Sequence, residues 1–192
     1  MRVLVVHCHP NPGSFVAAAR DRVLAGLASA GHAVRTTDLY ADEFRPELST
    51  NEWQNHREPG LPDELDRYAA DLRWAEALVL VHPTWWSGQP AMLKGWMDRV
   101  LACGVAWEVS DGGIRPRLTQ IRRIAVVTTH GSSKWVNALE GESGKRTAFR
   151  SLRAVCGWRV RTSWTAIYGL DRAGEAKRSA WLDRVERRFA RF

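Results

Sequence analysis

The sequence predicts an α/β protein, a three-layer sandwich in which helices cover both faces of a five-stranded parallel sheet. Short apolar segments alternate with longer amphipathic segments along the chain, which implies parallel strands joined by right-handed crossovers. The first segment, residues 3–7, begins with four apolar residues in a row, as in strands buried on both faces. The 192 residues contain no repeat and no linker, so we expect one domain spanning residues 1–192.

Each element follows from its pattern. After the apolar first strand, a helix with apolar residues at helical spacing ends at Gly31, a typical C-cap. The second strand alternates, and the polar residues 41–61 form a long excursion before a helix that begins near Pro62. The later elements repeat the alternation of strand and helix. The predicted strands are 3–7, 32–40, 76–83, one within 121–131, and 158–169; the predicted helices are 15–31, 61–75, 90–104, 145–157 and 171–189.

Composition narrows the classes of function. The net charge is +7, but no recognition motif accompanies it, so we expect no nucleic-acid partner. No apolar run is long enough for an integral membrane segment and no signal-peptide core follows Met1, so we expect a cytoplasmic protein. No histidine pair has metal-ligand spacing, so no metal is expected. The three widely spaced cysteines predict small core residues and neither a disulfide framework nor a zinc site: Cys8, Cys103 and Cys156.

The loop HPNPGSF (9–15) is the first candidate for chemistry, because ligands of such sheets bind at the carboxyl ends of the strands. Gly13 allows close approach of the backbone, Ser14 can cap the helix, and the free N–H groups of the helix start favour an anion. His9 can donate to a phosphate. Neither GxGxxG nor GxxxxGK[ST] is present, and a loop of this shape suits a flavin phosphate. The alternative is a tight turn with a capping serine.

Two further loops lie at the same predicted edge. PTWWSGQP (83–90) combines aromatic area for stacking with the backbone N–H groups of a tight loop, which suits a flavin ring with its polar pyrimidine edge. The alternative is that one tryptophan belongs to the core and the other covers the sheet edge. TTHGSS (128–133) offers hydroxyls, backbone N–H groups and His130, although an ordinary strand-to-helix loop has the same composition.

Three blocks of sequence resemble motifs of one known family. HPNPGSF resembles an H-x(4)-SF phosphate loop, DLY (38–40) matches a motif after the second strand, and PTWWSGQPAMLKGWMDRV (83–100) resembles P-x-x-W-[FY]-x-x-P-[AP]-x-L-K-G-W-x-[DE]-R-V. The chain thus resembles the NAD(P)H:quinone oxidoreductases, which include bacterial drug-activity modulators and ancillary proteins of potassium-efflux systems. The resemblance covers essentially the whole chain and implies a flavodoxin-like fold with strand order 2-1-3-4-5.

The resemblance also implies site residues, a flavin cofactor (FAD or FMN) and a homodimer. Large apolar side chains at Trp96, Met97 and Trp107 favour an interface that completes the pocket. The implied contacts are His9, Ser14 and Phe15 with the flavin phosphates; Pro83, Thr84, Trp85 and Trp86 with the isoalloxazine; Thr128, Thr129 and Gly131 with its polar edge; and Trp107 and Trp135 with the substrate.

The chain departs from the family at two places. His130 stands where many members have glycine, and it faces the expected ligand edge. The tyrosine and histidine credited in some members with stabilising the reduced flavin have no clear match. Trp135 or Asn137 lies near the first and Ser143 near the second, so no catalytic acid or base is assigned.

The leading hypothesis is an enzyme that transfers hydride from NADH or NADPH to a quinone or similar acceptor by a ping-pong mechanism on the flavin. The alternative is a regulatory flavoprotein subunit docking on a potassium-efflux transporter. A flavodoxin-type electron carrier is disfavoured, because those carriers tend to be acidic and this chain carries +7. The choices between FMN and FAD and between NADH and NADPH stay open.

Overall fold

The computed structural model describes residues 1–192, and seven strands organise it. The strands are β1 (Arg2–His7), β2 (Ala33–Asp38), β3 (Ala77–Pro83), β4 (Trp107–Ser110), β5 (Gly113–Pro116), β6 (Arg123–His130) and β7 (Arg161–Tyr168). Five of them form a parallel sheet in the order β2-β1-β3-β6-β7. Since β6 and β7 are the fourth and fifth strands of this sheet, the predicted flavodoxin-like order 2-1-3-4-5 is confirmed.

Eight α-helices accompany the strands, and some differ from the prediction. They are α1 (Phe15–Ser29), α2 (Thr50–Gln54), α3 (Asp66–Trp74), α4 (Ala91–Val100), α5 (Lys134–Leu139), α6 (Ser143–Arg146), α7 (Leu152–Cys156) and α8 (Glu175–Phe189). The single helix predicted over 145–157 is interrupted by a π-helical turn at 147–151. Helices α2 and α5 and the antiparallel β4–β5 hairpin were not predicted.

Alternate residues of the strands pack into two cores, one on each face of the sheet. Leu4 and Val6 of β1 face a core built with α3, α4 and α7. Val3 and Val5 face the other core, with α1 and α8. The central strands β1, β3 and β6 are therefore buried on both sides, which explains their nearly continuous apolar sequences. The three cysteines are buried, as predicted, and burial raises the pKa of Cys8 and of Cys156 to about 12.

The long excursion after β2 is fastened to α4. Gly95 lies so close to Pro46 that an added Cβ would come within 2.3 Å of its carbonyl oxygen. The buried Arg99 guanidinium donates to Glu52 at 2.8 Å and to Glu64 at 2.7 Å. Because Glu52 belongs to the excursion and Glu64 lies just after it, these ion pairs fix the excursion and its end over the helix.

The interpretation of Trp96 and Met97 as exposed interface residues is wrong. Their exposed fractions are 0% and 6%, and both belong to the core on the α3–α4 face. The reason is that α4 is covered on its outer side by the excursion. No helix of the chain has the length and apolarity that crossing a membrane requires.

His82 on β3 makes the stability of the fold dependent on pH. Its Nδ1–H donates to the Pro83 carbonyl at 2.8 Å, and burial lowers its pKa to about 4. The unfolded chain takes up a proton near pH 6.5 and the folded chain only near pH 4, so stability is complete above about pH 6.5 and declines as the pH falls. We expect His82 alone to lower the free energy of unfolding by about 2 kcal/mol between pH 7.5 and pH 5.

Urea unfolding at the two pH values tests this. In His82→Gln, whose amide can still donate to the Pro83 carbonyl, the pH dependence should shrink by that amount. His56→Gln, at an exposed position, is the matched control and should retain the full dependence. Equal pH dependence in the wild type and His82→Gln would contradict the assignment.

Candidate functional site

The candidate site lies where β1, β3 and β6 end at one edge of the sheet. The strands pair in parallel, with His7 opposite Val81 and Pro83 opposite Thr129. The pairing continues beyond β3, because the Thr84 N–H donates to the Thr129 carbonyl at 2.8 Å. The loops HPNPGSF, PTWWSGQP and TTHGSS thus begin side by side, as expected for ligand-binding loops of such a sheet.

The loop between β1 and α1 offers free donors for an anion. The Asn11 side chain accepts from the Gly13 N–H at 2.8 Å, and Ser14 Oγ caps α1 by accepting from Ala17 N–H at 3.1 Å. The N–H groups of Phe15 and Val16 have no acceptor in the chain. Together with the helix dipole they fit a phosphate.

Two predicted contacts in this loop take a more specific form. His9 Nδ1 lies 3.0 Å from Asn11 N and 3.1 Å from Asn11 O, which leaves Nε2 as the nitrogen free for a ligand. The Phe15 ring packs 5.6 Å from the Trp181 ring, within the core on the α1–α8 face. Phe15 can therefore serve a phosphate through its backbone only.

The DLY block contacts both elements that flank this loop. Asp38 accepts from Arg20 at 3.2 Å and lies 3.0 Å from His7 Nδ1. Burial lowers the pKa of His7, although the hydrogen bond to Asp38 acts in the opposite direction, so the buried ring is neutral at pH 7. Asp38 therefore anchors the end of β1 and the start of α1 at the same point.

The tryptophan loop is a tight turn with unfavourable backbone angles. Trp85 and Gly88 exchange two backbone hydrogen bonds, at 3.2 and 3.0 Å. The two central residues, Trp86 and Ser87, have φ of +49° and +60°. Such turns favour Asn-Gly, and each non-glycine residue in this region costs about 1–2 kcal/mol. Strain of this kind is concentrated at functional sites.

The two tryptophans differ in their surroundings. The Trp86 ring is completely exposed, at 102% of its reference area, and the Trp86 and Ser87 N–H groups have no acceptor in the chain. Trp85 is 42% exposed, and its ring lies 6.2 Å from the His9 ring. Packing in the core therefore does not explain Trp86.

A second segment clamps the turn, and the sequence analysis did not find this. Ser143 Oγ donates to the Ser87 carbonyl at 2.5 Å, the Ser87 hydroxyl donates to Glu140, and Gln89 Nε2 donates to the Gly144 carbonyl at 3.1 Å. Only the position of Ser143 gave a hint in the sequence. The polar residues of 140–144 are otherwise typical of an exposed loop.

Polar side chains from β3 and β6 complete the site. Thr84 Oγ1 lies 2.9 Å from Thr128 Oγ1 and 3.4 Å from His130 Nε2. His130 stacks on the Tyr168 ring at 4.5 Å, its pKa is lowered by burial, and its buried Nδ1 has no partner. These side chains adjoin a cavity of about 260 Å³ lined by Thr84, Trp86, Ser87, His130, Gly131, Ser132, Asn137 and Glu140.

Three other predicted residues have different surroundings. Trp107 donates from Nε1 to the Leu101 carbonyl at 2.8 Å and lines a separate cavity of about 850 Å³ under the excursion. Trp135 is 71% exposed on α5, two residues before the cavity residue Asn137. An added Cβ at Gly131 would lie 2.5 Å from the Asp171 carboxylate, so its small size serves packing.

The residues present fit a flavin. Unpartnered N–H groups at the start of α1 suit its phosphate, and those of Trp86 and Ser87 suit the acceptors of its ring. The exposed ring of Trp86 and the polar side chains of Thr84 and Ser132 line the same cavity, which suits an aromatic, hydrogen-bonding ligand.

Known proteins place the chain in a family. The family model described as flavodoxin-like fold matches residues 1–189. An uncharacterized NAD(P)H oxidoreductase of Haemophilus influenzae is 36% identical over 58% of this chain and 56% of the relative. The first curated relatives are matched over only about half of their own length.

Solved structures extend the similarity to the whole chain. Smu.1420 of Streptococcus mutans has a TM-score of 0.87 at 28% identity, covering 100% of both chains. The NAD(P)H:quinone oxidoreductase of Methanothermobacter marburgensis has a TM-score of 0.86 at 27% identity, covering 99% and 98%. An NADH-azoreductase of Bacillus anthracis solved with FMN shares the fold, with a TM-score of 0.77 at 15% identity over 99% and 98%. The chain therefore belongs to the flavodoxin-like fold family, and NAD(P)H:quinone oxidoreductases are among its relatives.

Proposed function

We propose that the protein is a flavin-dependent oxidoreductase that transfers hydride from NADH or NADPH to a quinone or a related acceptor. The observation that carries the proposal is the strained turn at Trp86 and Ser87, which presents an exposed aromatic ring and two unpartnered N–H groups beside the cavity. The relatives named as NAD(P)H:quinone oxidoreductases support the same reaction class.

We propose FMN as the cofactor. The Phe15 and Val16 N–H groups bind its phosphate, and His9 Nε2 adds a donor. The FMN complex of a protein with this fold supports this choice over FAD. When bound, the flavin supplies the hydride chemistry, accepting from the nicotinamide and giving to the acceptor.

The residues of the chain position the flavin and the substrates and exclude water from them. Trp85 and Trp86 form apolar walls against which flat rings stack. The Trp86 and Ser87 N–H groups hold the polar edge of the flavin. Burial lowers the pKa of His130, although Asn137 acts in the opposite direction, so the ring adds no charge beside the flavin at neutral pH.

Cofactor binding and turnover test the proposal directly. The purified protein should be yellow, and FMN should bind more tightly than FAD in equilibrium titration and raise the melting temperature. NADH or NADPH should then bleach the flavin without oxygen, and a quinone should restore its colour. Absence of binding by both flavins would refute the cofactor. Binding without bleaching would refute the reaction and leave the cofactor intact.

Replacing Trp86 with glycine should separate binding from folding. The ring is fully exposed, so its removal leaves no cavity, and glycine relieves the left-handed conformation. We expect the free protein to become about 0.5–1 kcal/mol more stable. Flavin affinity should fall about 30- to 1,000-fold, from the loss of about 2–4 kcal/mol of aromatic contact. Denaturant unfolding and flavin titration measure the two effects.

Two variants serve as controls for this result. Glu43→Gly relieves a similar φ of +50° at a residue that does not line the 260 Å³ cavity, and it should leave flavin affinity unchanged. Trp85→Ala should weaken flavin less than Trp86→Ala and should mainly raise the Michaelis constant for the quinone. If Trp86→Gly destabilises the protein and leaves flavin affinity within twofold, the ring serves folding and the proposed role is wrong.

We also propose a homodimer. Trp53 is 62% exposed and, with the half-buried Trp107, lines the 850 Å³ cavity, which offers apolar surface for a second copy. Sedimentation at micromolar concentration should give twice the chain mass of 21.7 kDa. Trp53→Asp should shift the protein towards the monomer, and the exposed Trp158→Asp should not. A monomeric wild type with full activity would contradict the dimer.

A further inference from the structure

A third cavity, of about 630 Å³, lies at the opposite edge of the sheet from the candidate flavin site and is lined by six arginines. Arg123 and Arg161 are the first residues of β6 and β7. Three more lie on α8 and the fourth follows its end, at spacings of three and four residues: Arg184, Arg187 and Arg188, then Arg191. The remaining lining residues are Ile124, Thr162, Ser163 and Phe192.

None of the six guanidinium groups forms an ion pair or a side-chain hydrogen bond. Several other arginines are paired, as Arg22 is with Glu186 and Arg99 with Glu52. Arg123 instead lies over the Phe192 ring, 5.3 Å from its centre. No aspartate or glutamate lines the cavity. The cavity therefore keeps a large positive excess.

The arrangement brings like charges close together on α8. Like charges three or four residues apart on a helix repel each other and weaken it. Acidic residues of α8 that could offset the repulsion are used elsewhere, since Asp183 and Glu186 both pair with Arg22 of α1. No carboxylate of the chain therefore neutralises the arginine cluster.

We propose that this cavity binds a small anion carrying several phosphate groups, of the nucleoside triphosphate or inorganic polyphosphate class. Guanidinium groups match phosphate oxygens in two-point contacts, and the hydroxyls of Thr162 and Ser163 add donors. The volume of about 630 Å³ lies in the range of small-ligand pockets. Six converging cations call for a ligand with several negative charges.

The geometry favours a small ligand over nucleic acid. The arginines lie on β6, on β7 and along and just after α8, and they line one cavity, whereas a surface for single-stranded nucleic acid tracks a backbone and offers free aromatic rings for stacking. Here the one aromatic ring, Phe192, is already covered by Arg123.

The new site is independent of the candidate flavin site. The strand β6 runs from Arg123 at the cavity to His130 at the flavin edge. Its eight residues separate the two sites by about 23 Å. A polyphosphate in the cavity therefore leaves the flavin edge open, and the inference goes beyond the proposed oxidoreductase activity.

Calorimetric titration with tripolyphosphate, ATP and inorganic phosphate tests the proposal on the full chain. We expect saturable binding of one tripolyphosphate per chain, at least about tenfold tighter than phosphate. ATP binding as tightly as tripolyphosphate would show that the phosphates alone are recognised, and tighter ATP binding would show that the nucleoside is recognised as well. Either outcome supports the site.

Paired variants distinguish the cavity from general charge. Arg161→Gln/Arg188→Gln removes one cation from a strand and one from α8, and it should weaken tripolyphosphate binding at least about tenfold. Arg150→Gln/Arg159→Gln removes the same charge at exposed positions outside the cavity and should leave the affinity unchanged. Circular dichroism and thermal unfolding confirm that both variants fold.

Three results would overturn the proposal. The first is the absence of saturable tripolyphosphate binding. The second is an equal loss of tripolyphosphate affinity in the two double variants, which would indicate that net charge alone drives binding. Duplex DNA that binds more tightly than tripolyphosphate and displaces it would make this face a nucleic-acid surface. None of these results depends on whether the protein binds flavin, so the proposed function is tested separately.

Discussion

The parallel pairing of β1, β3 and β6 is the constraint on which both ends of the molecule depend. The strands run in one direction, so their carboxyl ends meet and bring together His9, Trp85 and His130 from distant parts of the sequence. The same direction gathers the amino ends at the opposite edge, where Arg123 and Arg161 stand beside α8. The parallel sheet thus places an aromatic and polar site at one edge and a cationic site at the opposite edge.

The central strands β1, β3 and β6 were predictable because their signal is continuous burial. Every residue of β3 is buried, whereas β4 and β5 have four residues each and none is buried, so the hairpin leaves no apolar pattern. The π-helical turn at 147–151 has no compositional mark. The short helix α2 did carry one, since Ser49 and Glu52 form a capping box that is visible as S-x-x-E.

The block PTWWSGQPAMLKGWMDRV (83–100) has two parts with different structural roles. After Pro90 it specifies packing, because Trp96 is buried, Gly95 touches Pro46 and Arg99 holds the excursion. Before Pro90 it forms the strained turn. The sequence therefore located the loop correctly, but it did not show the clamp from Ser143, because side-chain hydrogen bonds between distant loops follow no local periodicity.

The turn at Trp86 and Ser87 keeps a backbone conformation that lowers the stability of the free protein. Two non-glycine residues are held in left-handed conformations, and the clamp prevents the backbone from relaxing. Trp86 gains no burial in return. A rigid turn that already presents its ring and N–H groups loses little conformational freedom when a flat ligand binds. The strained turn is therefore preorganised for the ligand, and the stabilising effect of this preorganisation arises only in the complex.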